Sequence, residues 1–290
     1  MGNATWDSGQ YKTYTDSIRN KTREDIFSQA DLHADLNPKN IKVRESVDSI
    51  ANPNSTPIII GCDETGSMGK LAEIIIRHGL GKVFTAIYDH KPVTDPHIMC
   101  LGLGDSFTDQ APLQMTQFEA DVKALTTQVE EIYLEGNGGG NGGESYLLAW
   151  WAAVNKTLSD AIMKRGRKGY LFTIGDECCH TTIPSSHITK FLGVGSEGDI
   201  SAKEILAEAQ RFWHVFHLIV QPVPYQEVYK SWKTLLGDNA IPVENPEMLP
   251  EVIVSIIRLT EGQTNVTADY DHETRQVVTA ATQRLLPAAR

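Results

Sequence analysis

Cysteine is scarce in this chain, with four in 290 residues. Only Cys178 and Cys179 are neighbours, so neither a disulfide framework nor a zinc-ribbon spacing can be drawn. Long apolar runs are also missing. No stretch reaches the ~20 apolar residues that span a bilayer, and residues 1–20 are polar, mixed in charge and without an apolar signal segment. These absences lead us to expect a reduced, cytoplasmic setting and no membrane. Positive charge is in deficit, with 26 Lys and Arg against 37 Asp and Glu and a net charge of −11. That balance opposes the basic footprint of a general nucleic-acid binder. The glycine-rich run at 138–143 is not followed by Lys and then Ser or Thr, which removes the phosphate-loop reading. No Ser-His-Asp order and no nucleophile elbow appears either.

What is present centres on Pro57-Ile58-Ile59-Ile60-Gly61-Cys62-Asp63-Glu64-Thr65-Gly66-Ser67-Met68-Gly69. A short β-branched run bounded by Pro and Gly reads as a buried strand. The Asp-x-Thr-x-Ser that follows lies where such a strand feeds a helix, the place where α/β sheets put their ligands. One carboxylate and two hydroxyls alternating over five residues can turn three hard oxygens to one point. Such donors suit magnesium, manganese or calcium.

Asp63, Thr65 and Ser67 resemble the Asp-x-Ser/Thr-x-Ser metal-ion-dependent adhesion site of von Willebrand factor type A (vWA) domains, in the intracellular bacterial or phage form. The likeness covers residues 56–260 and implies an α/β fold: a doubly wound, mostly parallel central sheet with helices on both faces. An N-terminal arm (1–55) and a C-terminal extension (261–290) flank it. The resemblance also implies a second ligand loop, matched by Gly138-Gly139-Gly140-Asn141-Gly142-Gly143-Glu144-Ser145, and a third, matched by Asp176 in Phe172-Thr173-Ile174-Gly175-Asp176-Glu177. Where the family has Thr in its second loop, this chain has Gly140 followed by Asn141. The second-loop ligand is therefore Asn141, Glu144, Ser145 or water. The implied metal set is Asp63, Thr65, Ser67, Asn141 and Asp176, with Asp105, Glu144 and Ser145 as additional candidates, and the implied ion is Mg2+, with Mn2+ or Ca2+ as alternatives.

The rest of the chain alternates in keeping with that fold. Helices are expected over 23–32, 69–88, 116–132, 144–163, 201–212, 226–236 and 246–259, and strands over 97–103, 170–174, 214–220 and 240–243. Val277, Val278, Ala281 and Leu285 stripe a last helix. Ser201-x-x-Glu204 has the form of a capping box. The basic run Lys164-Arg165-Gly166-Arg167-Lys168 reads as a solvated helix end, His214 and His217 read as strand residues, and Cys178, Cys179 and His180 are set aside as metal ligands because contiguous residues rarely converge on one ion.

The functional expectation is a protein-interaction module. Its bound cation keeps a vacant position for an acidic side chain, Asp or Glu, of a partner. By family likeness that partner is an AAA+ ATPase complex or another copy of the chain. A self-assembling structural subunit is the alternative. A metal-dependent hydrolase using Asp105, Glu144 or Glu177 as base is the third reading.

Overall fold

The structure, a computed structural model, describes residues 27–64, 80–135, 141–195, 198–220 and 225–285, together with residues 9, 13 and 25. Its centre is a six-stranded sheet. In chain order the strands are β1 (Arg44–Ser46), β2 (Thr56–Asp63), β3 (Pro96–Leu103), β4 (Leu113–Met115), β5 (Thr157–Ser159), β6 (Gly169–Gly175), β7 (Thr182–Ile183), β8 (Ile200–Ser201), β9 (Trp213–Val220) and β10 (Ala240–Val243). The central order is β10-β9-β6-β2-β3-β4, with β4 alone antiparallel. β1 pairs with β5 and β7 with β8 in two small ribbons. Among the described residues the α-helices of six residues or more are α1 (Leu80–His90), α2 (Val122–Glu130), α3 (Leu147–Asn155), α4 (Asp160–Arg165), α5 (Ala202–Phe212), α6 (Tyr225–Leu236), α7 (Leu249–Thr260) and α8 (His272–Thr282).

The pleat sorts the strands into two cores. Ile58, Ile60 and Cys62 join Val83, Phe84, Ile253 and Val278 on one face. Ile59, Met99 and Leu171 join Trp150, Leu206 and Trp232 on the other. Strands buried on both faces read as near-continuous apolar runs, which is why β2 and β9 stand out in the sequence. The arrangement is the doubly wound α/β architecture expected. Among the described residues no helix is long and apolar enough to cross a membrane.

Several boundaries differ from expectation for local reasons. Residues 27–32 are not helical; the Asp31 carboxylate accepts the Leu32 amide at 2.7 Å, a local bond that competes with a helical turn. The stretch expected as a helix from 116 starts extended, because Glu119 exchanges backbone bonds with Ile98 of β3, and the Thr116 amide donates to the Cys100 carbonyl while its hydroxyl accepts the Cys100 amide. α2 begins only after Asp121, whose carboxylate caps the Ala124 amide at 2.7 Å. The expected helix over 144–163 is two helices separated by β5, where the arm strand β1 takes over the backbone bonding. Leu158, expected inward, is consequently exposed. Ser201 forms no side-chain cap, since it is spent in β8 opposite Thr182. Helix positions 69–79 lie outside the described residues.

The described part of the arm folds onto its own chain. Lys156 donates to the Ile41 carbonyl at 2.7 Å, and Ser46 Oγ lies 3.2 Å from His97 Nδ1. The basic run is therefore only partly solvated. Arg165 is drawn inward to Asp48 at 2.5 Å and to the Ser55 carbonyl at 2.6 Å. Burial opposes ionisation of Asp48, but the bonds from Arg165 and Ser55 outweigh it and hold the carboxyl below its ordinary range. The stabilisation is thus present above the unfolded value near 4 and lost as pH falls through the lower folded one. Arg165→Ala should cost about 1.5–3 kcal/mol, the worth of hydrogen bonds to a charged group. It should also raise the pH at which limited proteolysis first cuts between β1 and β2 in acid. Unchanged cleavage across the acid range would show that this pair does not fasten the arm.

Candidate metal centre

β2 and β6 are adjacent and parallel, with Cys62 opposite Ile174. Asp63 and Asp176 therefore leave the same edge of the sheet, one and two residues beyond that pair. Asp105 follows β3, the neighbour of β2 on its other side, so three aspartates from three consecutive strands share this edge. The residues between Asn141 and Tyr146 cross over it: Glu144 and Cys179 bridge, the Glu144 amide donating to the Cys178 carbonyl at 2.8 Å, and the Ser145 amide reaches the Gly104 carbonyl at 3.3 Å.

At the middle of the edge lies a residue the sequence did not single out. Tyr146 is fully buried and its hydroxyl donates to Asp63 Oδ2 at 2.5 Å. Its ring is met edge-on by His217 and Trp232, with centroids at 5.0 and 5.3 Å. Gly175 makes room for it, because a Cβ there would lie 2.6 Å from Tyr146 Cζ and closer still to the hydroxyl. Burial, then Asp63, Glu144 and Asp176, push the phenol well above its ordinary range. Such a concentration of carboxylates around one buried group sets up a negative potential that a divalent cation relieves. In this respect the described oxygens fit a hard ion. Among the described residues no group of three or more His, Cys, Asp or Glu side chains is arranged to hold a metal. The expected donors Thr65 and Ser67 lie outside the described residues.

Of the additional candidates, Ser145 gathers around Asp105, as does Asn141. The Asp105 carboxylate accepts from Asn141 Nδ2, from Ser145 Oγ at 3.2 Å, from the Phe107 amide at 3.1 Å and from Thr108 Oγ1 at 3.4 Å. His180 Nε2 sits 2.9 Å from Oδ1. Burial works to raise this carboxyl, but the bonds from His180, Phe107 and Asn141 prevail and hold it below the usual range. Asn141 and Ser145 are thus tied to Asp105, and His180, set aside on sequence grounds, is a partner of Asp105. The signal that pointed away from it, contiguity with Cys178 and Cys179, carries no information on what a turn brings from β3. His217 is a strand residue as expected, stacked on Trp232 at 3.5 Å.

Glu64 turns away from this mouth. It is buried, takes a 2.7 Å bond from Gln114 Nε2, and presses on Gly102, where a Cβ would come within 2.8 Å of its Oε2. Burial drives its carboxyl well above the ordinary value. A strand order in which β2 sits between β6 and β3, with the chain reversing direction of travel there, puts Asp63 at the crossover crevice that such sheets use for ligands. The fold is doubly wound α/β, the architecture that the vWA resemblance implies.

No family model and no curated protein sequence matches this chain. Among solved structures, the pilus adhesin SpaC of Lactobacillus rhamnosus GG is similar at 11% identity and a TM-score of 0.49, over 77% of this chain and 31% of SpaC. The proximal thread matrix protein 1 of the mussel byssus, with a zinc-occupied MIDAS motif, is similar at 7% identity and a TM-score of 0.44, over 75% of this chain and 48% of that one. The vWF domain of the type V pili tip protein Mfa5 of Porphyromonas gingivalis is similar at 9% identity and a TM-score of 0.46, over 78% and 98%. The chain thus spans under half the length of the first two. With every one of these scores below 0.5, the doubly wound fold rests on the strand order itself.

Proposed function

We propose that this protein is an interaction module that holds a divalent cation at the C-terminal edge of its sheet and captures an acidic group of a partner. The observation that carries the reading is the emergence of Asp63 and Asp176 side by side from β2 and β6, around a phenol that already feels both. Asp63, Thr65, Ser67 and Asp176 would hold the ion, with Asn141 as the second-loop donor. Mg2+ is the proposed ion, and its positive charge would attract an Asp or Glu side chain. A desolvated, charge-assisted contact of that kind can anchor an interface. The partner is an intracellular protein, either a component of an AAA+ ATPase complex or a second copy of this chain, and no catalytic step is assigned to the site.

A ligand that binds only the folded state stabilises it by RT ln(1 + [L]/Kd), about 2.7 kcal/mol at a hundredfold excess over Kd. Saturating Mg2+ should therefore raise the melting temperature of the wild type, and Asp63→Ala should abolish the rise. Identical melting of the wild type in magnesium and in chelator would overturn the reading.

A further inference from the structure

The opposite edge of the sheet carries a site of different chemistry. Between the start of β2 and the end of α4 a cavity of about 150 Å3 is lined by residues that include Asn54, Thr56, Thr94, Arg165, Arg167 and Lys168, and no acidic residue is among them. The lining itself holds three cations, two of them paired from behind by Asp48 and Glu261, in a chain of net charge −11. At the ~30 Å3 that a water takes up in the liquid, the space is enough for a group of about five heavy atoms.

The donors facing this space are only partly used. Arg165 is committed to Asp48 and the Ser55 carbonyl. Lys168 Nζ gives one bond, to the Gln210 carbonyl at 2.7 Å, and an ammonium has three N–H groups. Arg167 gives Nη2 to Glu261 at 2.6 Å, and a guanidinium has five N–H groups. Thr94 lines the same cavity, while Thr56 spends its hydroxyl on the Thr94 carbonyl at 2.7 Å. The wall from residue 91 to 95 is held in a costly shape, with Lys91 at φ 43° and Asp95 at φ 42°. Asp95 fixes it by accepting the Asn54 amide at 2.9 Å through its carboxylate and the Thr56 amide at 2.9 Å through its carbonyl. Left-handed backbone outside glycine is uncommon and gathers at ligand clamps. Thr94 and Arg167 also line a neighbouring groove of about 660 Å3, which continues past Val93, Tyr88 and Ala120. Whatever the small cavity holds can thus be attached to a larger body.

We propose that this cavity binds a tetrahedral dianion of the phosphate class, carried as a phosphomonoester whose organic part lies in the adjoining groove. Arg167 and Lys168 supply charge-assisted bonds, and Thr94 and Asn54 supply neutral ones. The site is separated from the proposed metal centre by the length of β2, roughly 23 Å at ~3.3 Å per residue, and stands whether or not that centre binds an ion.

Calorimetric titration of the full chain at low salt with inorganic phosphate, O-phosphoserine and serine tests it. O-phosphoserine is expected to bind more tightly than inorganic phosphate, serine not to bind, and added salt to weaken both anions. Arg167→Gln combined with Lys168→Gln should weaken binding by about tenfold or more, Lys168→Arg should retain it, and Asp63→Ala should leave it unchanged. Both side chains are exposed, so melting of the double variant reports whether the fold is intact; Thr94→Val is the second probe of the same wall. Absence of binding by either anion, or equal affinity in the double variant, would overturn the site. Inorganic phosphate binding as tightly as the ester would overturn the assignment to a phosphomonoester.

Discussion

Gly175→Ala should destabilise the protein by about 3 kcal/mol, the upper end of what overpacking a filled interior costs. The added methyl group would land on the Tyr146 hydroxyl and ring. That ring has nowhere to go, because His217 and Trp232 close it in and it is wholly excluded from solvent. β6 is a central strand paired on both sides, so the backbone cannot yield either. Urea unfolding reads the loss directly. In a Tyr146→Leu background the same substitution should cost under about 1 kcal/mol, since neighbours that share one clash are strongly non-additive. Equal penalties in both backgrounds would show that Tyr146 is not what Gly175 accommodates. The variant also links packing to function: displacing Tyr146 removes the 2.5 Å bond that orients Asp63, so the gain in melting temperature from Mg2+ should shrink with it.

Trp232→Ala is expected to cost about 3–5 kcal/mol, as buried aromatic-to-alanine changes do. Trp232 is fully buried between three rings: it stacks on His217 at 3.5 Å and 9°, and meets Tyr146 and Trp150 edge-on. Burial holds the His217 imidazole well below its ordinary range, so the stack is between neutral rings. The indole N–H donates to the Glu177 carbonyl at 2.9 Å and so ties α6 to the turn that follows Asp176. Trp232→Phe keeps most of the apolar contact and loses that donor, and it should retain more than half of the stability lost by Trp232→Ala. If the phenylalanine variant were as unstable as the alanine one, the hydrogen bond rather than the packing would be the larger contribution. Both variants can be followed by denaturant midpoint.

Much of the fold was legible because strands buried on both faces leave a signal that needs no partner to be read. Ile58-Ile59-Ile60 is an unbroken apolar run, the β9 residues Val215 to Val220 are one interrupted only by His217, and β10 matches its expected limits of 240 and 243. The three-residue strands β4 and β5 gave no such signal. β4 has three residues, and its Gln114 points a polar amide into the interior, where it bonds Glu64 and the Tyr133 carbonyl. β5 interrupts a helical pattern that runs through Trp150, Trp151 and Val154, and only the distant Arg44–Ser46 strand makes that interruption favourable.

The site divides in the same way. Asp63 could be chosen from the sequence because it closes an apolar run, and the end of a buried strand is where an α/β sheet meets its ligand; Asp176 is singled out by its resemblance to the third vWA loop. Tyr146 and His180 could not be chosen, since their roles depend on which strand lies next to which. The primary structure by itself determined the alternation of strands and helices, the two carboxylates at strand ends and the negative overall charge, because these follow from local pattern and composition. Only the tertiary structure decided that Tyr146 fills the space over Gly175, that His180 pairs with Asp105, and that Arg165, Arg167 and Lys168 face one cavity. His180 and Asp105 stand 75 positions apart, and no local preference of the chain encodes a meeting that only the closing of the sheet brings about.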